Sequence, residues 1–100
     1  MQTVIANQIV EWDDKKAAIN KQKHGISFET AAMIFADENR IERYDQKHSQ
    51  DEDRWQVIGM VEDVLFVVYT EREETTRLIM AREASPKERS EYLDYSTSYL

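Results

Sequence analysis

The sequence predicts an α+β fold, in which helices pack on one side of an antiparallel sheet. Three apolar segments, at residues 55–61, 64–70 and 76–82, are separated only by short polar links, which is typical of a strand meander. Helical periodicity and capping signals lie on both sides of this meander. Two glycines and one proline interrupt the chain, so the links between elements should be short.

The N-terminal part predicts one strand and one capped helix. Residues 9–12 are a short strand candidate. Asp13 or Asp14 then caps a helix that continues to about His24. Gly25 supplies the left-handed residue at which such helices stop.

A second helix should begin after Ser27 and end near Asp37. Ser27 is a preferred N-cap residue, and the apolar residues behind it repeat with helical spacing. This apolar face consists of Phe28, Ala31, Ala32 and Phe35. Residues 40–45 alternate in character and predict a polar edge strand.

The meander also predicts a register. If residues 62–63 form a two-residue turn, Trp55 lies opposite Thr70. A second, looser turn at 71–75 then places Thr70 opposite Arg77. One sheet face would hold Trp55, Thr70 and Arg77, and the other would hold Arg54, Tyr69 and Arg82. A slip of one residue exchanges these two sets.

The C-terminal segment contains the sharpest local signal. Ser85, Pro86 and Glu88 occupy the N-cap, N1 and N3 positions of a capping box. A last helix therefore follows, with Tyr92, Tyr95 and Tyr99 on one side. The predicted element order is β-α-α-β-β-β-β-α.

Composition is that of one globular domain spanning residues 1–100. Hydrophobic residues make up 41% and charged residues 33% of the chain, enough for one modest core. No apolar run approaches about 18 residues, and the N-terminus lacks basic and apolar regions, so we expect neither a membrane span nor a secretory signal. Cysteine is absent, which excludes disulfides and thiol catalysis and agrees with a cytoplasmic location.

The net charge of −7 argues against a surface that is basic throughout. Four lysines and His24 nevertheless fall within residues 15–24 without any acid. His24 also suits a helix C-terminus on electrostatic grounds alone. A local cationic cleft remains compatible with the acidic total.

Residues with catalytic potential lie in the polar segment 45–54. His48, Glu52 and Arg54 fall within seven residues at the start of a predicted strand. They offer a group that transfers protons near neutral pH, a carboxylate and a fixed cation, which a metal-independent ribonuclease needs. Either His48 or Glu52 could serve as the base. The alternative is an exposed loop without a chemical role.

Arginines on the predicted strands are the second group of candidates. Arg54, Arg77 and Arg82 could gather over one curved sheet and clamp a phosphate, or each could pair with a nearby acid. The two histidines, with Asp45 and Glu52, lack metal-ligand spacing. We therefore expect no metal and no cofactor.

Four short motifs occur in an order that resembles one protein family. They are Glu11-Trp12-Asp13, Lys23-His24-Gly25-Ile26-Ser27-Phe28, the segment 45–54, and Ala81-Arg82-Glu83-Ala84. Together, over about residues 9–92, they resemble the BrnT family, the ribonuclease toxins of BrnT/BrnA toxin–antitoxin pairs.

The resemblance implies a RelE-like fold, with two N-terminal helices packed on a twisted antiparallel sheet of about four strands plus a C-terminal helix. It implies a cytoplasmic endoribonuclease that cleaves RNA and blocks translation. It also implies a BrnA-like antitoxin with a DNA-binding domain, so that the toxin meets DNA only indirectly. The implied catalytic residues are His48, Glu52, Arg54, Arg77 and Arg82, and the implied RNA-binding residues are Lys23, His24 and Arg72.

The chain departs from the family pattern at three places. Glu62-Asp63 stands where a glycine is frequent, residues 73–76 replace a segment rich in glycine and arginine, and Met80 replaces a small serine. The lost positive charge favours a second interpretation, in which a catalytically degenerate toxin homologue binds an antitoxin and acts as a co-repressor.

Overall fold

The computed structural model describes residues 1–97, which form one six-stranded sheet and three α-helices. The strands are β1 (Gln2–Ile5), β2 (Gln8–Glu11), β3 (Ile41–Tyr44), β4 (Arg54–Val61), β5 (Asp63–Arg72) and β6 (Thr75–Glu83). The helices are α1 (Asp14–His24), α2 (Phe28–Ala32) and α3 (Pro86–Thr97), and short 3₁₀ segments cover Met33–Ala36 and Gln46–His48. Tyr99, predicted on the last helix, lies outside the described residues.

Local side-chain chemistry explains where the helices begin and end. Asp13 accepts a hydrogen bond from the backbone of α1, and Gly25 ends that helix with a φ of 76°. Ser27 caps α2. Ser85 and Glu88 exchange side-chain-to-backbone hydrogen bonds of 2.8 and 3.2 Å, which completes the capping box of α3. All three predicted helix starts are confirmed.

The sheet is larger than predicted, and it is mixed. Its order is β1-β2-β6-β5-β4-β3, in which β2 and β6 pair in parallel and all other neighbours pair antiparallel. The expectation of an antiparallel sheet of about four strands was therefore wrong, whereas the predicted edge position of β3 is confirmed. The N-terminal hairpin escaped prediction because its turn, Ala6-Asn7, has positive φ at both residues without a glycine.

The β4–β5 turn contains one residue fewer than predicted. Val61 pairs with Asp63, and Glu62 between them takes a φ of 64°. Arg54, rather than Trp55, therefore lies opposite Thr70. The slip moves Arg54 to the face that the prediction gave to Trp55.

A β-bulge in β6 places the remaining strand arginines. Val68 pairs with Met80 and Tyr69 with Leu78, so Ile79 has no partner on β5. Beyond this bulge Arg82 pairs with Phe66, and before it Arg77 pairs with Thr70, as predicted. Thr70 and Phe66, which pair with these arginines, are four residues apart on β5 and so point to the same face. Arg54, Arg77 and Arg82 therefore all lie on one face, and the predicted separation of Arg77 from the other two was wrong.

Helices cover both faces of the sheet, contrary to the prediction that they share one side. The first core lies between the sheet and the N-terminal helices, and includes Trp12, Phe28, Phe35, Val67, Tyr69 and Leu78. The second lies under α3, and includes Ile58, Val64, Phe66, Val68 and Tyr92. Strand β5 supplies residues to both cores. Within residues 1–97, no helix has the length and apolar character that crossing a membrane requires.

Candidate active site

The loop between β3 and β4, residues 45–53, is closed by hydrogen bonds at its base. The backbone N–H of Asp45 donates to the carbonyl of Arg54 at 2.8 Å. The hydroxyl of Ser49 donates to the carbonyl of Asp45 at 2.6 Å and accepts from the N–H of Arg54 at 2.8 Å. These bonds close the loop at the end of the sheet and determine the positions from which its side chains extend.

His48 is held by a buried carboxylate three residues earlier. Its Nδ1 lies 2.9 Å from Oδ2 and 3.1 Å from Oδ1 of Asp45, and its backbone N–H donates to Oδ1 at 3.2 Å. The Asp45 side chain is 2% exposed, whereas that of His48 is 58% exposed. Burial raises the pKa of Asp45, but hydrogen bonds from Gln56 and His48 outweigh burial and hold this pKa below its ordinary value.

A cleft of about 400 Å³, the loop cleft, opens beside the exposed ring. It is lined by Lys47, His48, Gln50, Asp51, Glu52 and Arg54. Among the described residues, the guanidinium of Arg54 has no carboxylate within ion-pair distance. The loop cleft is therefore lined by both a proton-transfer group and an available cation.

A second opening of about 350 Å³, the helix groove, lies between the sheet and α3. His48 lines it as well, together with Arg43, Asp45, Gln56, Phe66, Val68, Met80, Arg82, Ser85, Lys87, Glu88 and Glu91. Arg82 makes two hydrogen bonds to Glu88, of 2.8 and 3.0 Å, and its guanidinium lies 4.1 Å from the centre of the Phe66 ring. His48 stands between the two openings.

The other predicted site residues are dispersed. Arg72 pairs with Glu52 at 3.6 Å, at the side of the loop cleft. Arg77 pairs with Glu11 at 3.6 Å on the neighbouring strand, and lines neither opening. Lys23 and His24 lie at the end of α1 in a separate pocket with Lys16, Ile19, Asn20, Ile79 and Met80.

The expected single pocket of Arg54, Arg77 and Arg82 does not form, although the three share a face. Arg77 and Arg82 each have a carboxylate of their own. Arg54 lies in the loop cleft and Arg82 in the helix groove. The alternative prediction, that each strand arginine pairs with a nearby acid, is confirmed for Arg77 and Arg82.

Sequence reasoning missed the residues that support the site. Asp45 was not predicted as a partner of His48, although an aspartate that can accept the backbone N–H three residues later is a local cap signal. Ser49 carried no recognisable signal. Gln56 and Arg43 face each other across β3 and β4, a relation that requires the strand register.

Comparison with known proteins shows that the chain is similar to a family of toxins. A family model described as "Ribonuclease toxin, BrnT, of type II toxin-antitoxin system" matches residues 12–88. The structure is similar to the crystal structure of the Brucella abortus ribonuclease toxin BrnT, with a TM-score of 0.57 and 20% identity, over 83% of this chain and 99% of that chain. At that identity the likeness shows the fold alone. No curated protein matches the chain.

Proposed function

The chain belongs to the BrnT family of ribonuclease toxins of type II toxin–antitoxin systems, and we propose that it is a metal-independent endoribonuclease that works in the loop cleft. One observation supports this proposal above others. His48 and Arg54 line the same cleft, and Arg54 has no ion-pair partner among residues 1–97. A cation without a partner at a histidine is available for a substrate phosphate.

The proposed reaction uses the ribose 2′-hydroxyl of RNA as the nucleophile. Nε2 of His48 takes the 2′-OH proton, the 2′ oxygen bonds to the adjacent phosphorus, and the bond to the 5′ oxygen breaks. The leaving 5′ oxygen takes a proton from solvent, to which the cleft is open. The products are a 2′,3′-cyclic phosphate and a 5′-hydroxyl, and DNA, which lacks the 2′-OH, is not cleaved.

Arg54 has the electrostatic role in this reaction. Its fixed positive charge stabilises the additional negative charge on the phosphorus oxygens in the transition state. Glu52 also lines the cleft and is the other candidate base, but its carboxylate is already paired with Arg72 at 3.6 Å. Arg82 joins the site only if RNA competes with Glu88, and Arg77 only if RNA extends beyond the cleft.

Lys23 and His24 are proposed as outlying RNA contacts. They lie in the basic stretch 15–24, apart from the loop cleft. Lysines on an exposed helix bind phosphates without reading sequence. Their substitution should weaken RNA binding and leave the rate of the bound complex unchanged.

Cleavage of an end-labelled RNA oligonucleotide by the purified chain, in the presence of EDTA, tests the proposal. The parent should cleave RNA but not the matching DNA, and His48→Gln should be inactive. His24→Gln is the control at saturating RNA, since it replaces the chain's other histidine outside the cleft and should cleave bound RNA at the parental rate. Cleavage by His48→Gln at the parental rate would remove the proposed mechanism.

From its membership of the family we also propose the biological setting in which the chain works. A type II toxin acts with an antitoxin. We expect this antitoxin to be a BrnA-like protein whose DNA-binding domain represses the shared operon. The toxin itself would be a cytoplasmic protein of one domain and RelE-like fold, and its cleavage of RNA would stop translation. Co-purification with the product of the adjacent reading frame checks the partner.

One observation favours a non-catalytic alternative. Three of the predicted cations, Arg72, Arg77 and Arg82, are each already paired with a carboxylate. In that case the chain is a degenerate toxin that binds the antitoxin and modulates repression. Induced expression without the antitoxin separates the two, since growth arrest is expected of the ribonuclease and normal growth of the degenerate toxin.

A further inference from the structure

Asp45 is a buried anion for which burial alone would be unfavourable. Its side chain is 2% exposed although it belongs to a surface loop. A carboxylate is buried at an acceptable cost only when hydrogen bonds satisfy its oxygens. Here they are satisfied by the ring and backbone of His48 and by the side chain of Gln56.

This contact decides which nitrogen of His48 can act as a base. An ionised carboxylate only accepts hydrogen bonds, so the Nδ1 atom that faces Asp45 must carry the proton. The neutral ring then has its lone pair on Nε2, on the side away from Asp45. That is the tautomer a general base at the loop cleft needs.

Asp45 is in turn held by residues that connect it to α3. Oε1 of Gln56 accepts a hydrogen bond of 3.0 Å from Nε of Arg43, which leaves the amide N–H groups of Gln56 for Asp45. The Nη1 atom of Arg43 donates to Oε2 of Glu91 at 2.6 Å. A hydrogen-bonded chain therefore joins Glu91, Arg43, Gln56, Asp45 and His48.

We propose that Asp45 is the positioning residue of the site, and that it sets the tautomer and orientation of His48 with support from Gln56. The role rests on the proposed function, in which His48 is the base. Asp45 itself does not touch RNA. Its loss should therefore lower kcat by about 10²–10⁴-fold, the range that a positioned base contributes, and leave KM unchanged.

Nitrogen NMR of the imidazole rings tests this role without any need for activity. The chain has two histidines, so His48 is assigned by comparison with His24→Gln. In the parent at neutral-to-alkaline pH, Nδ1 of His48 should show the shift of a protonated nitrogen and Nε2 that of a bare one. In Asp45→Asn the two tautomers should mix or exchange.

Asp53→Asn is the matched control. It removes the same charge from the same loop, but Asp53 is exposed and contacts Tyr44 rather than His48. It should leave both the His48 nitrogen shifts and kcat as in the parent. If Asp45→Asn also leaves both unchanged, the positioning role is refuted.

Gln56→Leu covers the case in which Asp45→Asn does not fold. This change keeps the carboxylate but removes its second donor, so partial mixing of the His48 tautomers is expected, and a parental pattern refutes the role of Gln56 as a support. An inactive parent with the expected nitrogen shifts would contradict the proposed function and uphold the positioning of His48, which keeps the two failures distinct.

Discussion

The side chain of Asn20 makes both hydrogen bonds to Ala81 that a neighbouring strand would make. Oδ1 accepts from the N–H of Ala81 at 3.1 Å, and Nδ2 donates to its carbonyl at 2.9 Å and to the carbonyl of Ile26 at 3.0 Å. Strand β2 pairs with β6 at residues 75–77 and goes no further. Asn20 thus satisfies the edge of β6 beyond β2 and attaches α1 to the sheet.

Replacement of Asn20 by Ala should lower the free energy of unfolding by about 3 kcal/mol, because it leaves buried backbone groups without partners. Urea unfolding monitored by circular dichroism measures the change. Asn39→Ala is the control, since the Asn39 side chain is exposed, and it should be nearly neutral. Equal stabilities of the two variants would contradict the strand-like role of Asn20.

Arg54→Ala should reduce the rate of RNA cleavage by about 10²–10³-fold, equivalent to about 2.7–4 kcal/mol of barrier, because it removes the available cation of the loop cleft. Arg54→Lys should recover part of the loss, since it restores charge but not the planar fork. Arg77→Ala should cost much less, because Arg77 is paired with Glu11 outside the cleft. Single-turnover kinetics compares the cleavage rates of the three variants. A larger loss of rate in Arg77→Ala than in Arg54→Ala would show that the reaction does not take place in the loop cleft.

Tyr92→Phe should lower the free energy of unfolding by about 1.5–3 kcal/mol, since the Tyr92 hydroxyl donates a 2.6 Å hydrogen bond to the charged Asp37. Burial, with this hydrogen bond, raises the pKa of Tyr92 to about 12. A raised pKa means that the contribution is complete below about pH 10 and is lost as the pH rises towards 12. Stability of the parent should therefore fall more steeply over this range than that of Tyr92→Phe, in denaturant titrations at each pH.

Glu88→Gln should flatten the acid side of the stability profile. Burial raises the pKa of Glu88, but hydrogen bonds from Arg82 and Ser85 outweigh it and hold the pKa below its ordinary value. The contribution of Glu88 is thus present above about pH 4 and is lost as the pH falls through the lower, folded-state pKa. Urea unfolding between pH 7 and pH 3 should show that the free energy of unfolding declines less in the variant than in the parent. Equal declines in the two proteins would show that Glu88 does not contribute to the acid loss of stability.

Gly59→Ala should destabilise the chain by about 1–3 kcal/mol through overpacking. A Cβ at this position would lie 2.6 Å from Cγ1 of the buried Ile34 and 3.2 Å from Oδ2 of Asp37. Neither neighbour is free to withdraw, because Ile34 is in the core and Asp37 bonds to Tyr92 and to the N–H of Met60. Thermal unfolding measures the loss, and an unchanged Tm would show that the 3₁₀ segment adjusts.

The parts of the fold that depend on neighbours in sequence were predictable. The capping box at Ser85 and the stop at Gly25 are decided within a few residues, and both are present. Strand β1 was not predictable, because its burial alternates but the exposed positions include the apolar Val4, which is 64% exposed, so polar and apolar residues do not alternate with burial. Its pairing with β2 across the Ala6-Asn7 turn, and not its own sequence pattern, makes it a strand.

The sequence predicted that two candidate residues would lie close together, but it did not predict how the strand arginines are arranged. His48 and Arg54 do share a cleft. The predicted faces of the arginines were wrong because they depended on a turn length and a bulge, and each of these changes the side-chain directions that follow it. The single pocket does not form because Arg77 and Arg82 pair with Glu11 and Glu88. The contact between Asp45 and His48 could have been predicted, because the two residues are only three positions apart in the sequence.

The parallel pairing of β2 with β6 has a consequence for synthesis on the ribosome. Residues 9–11 reach their partners only after residues 75–77 have left the exit tunnel, and chains fold as they emerge. The first hairpin must therefore wait for the last strand before the sheet is complete. A chain whose translation stops before residue 75 therefore lacks the strand that β2 needs and cannot complete the sheet.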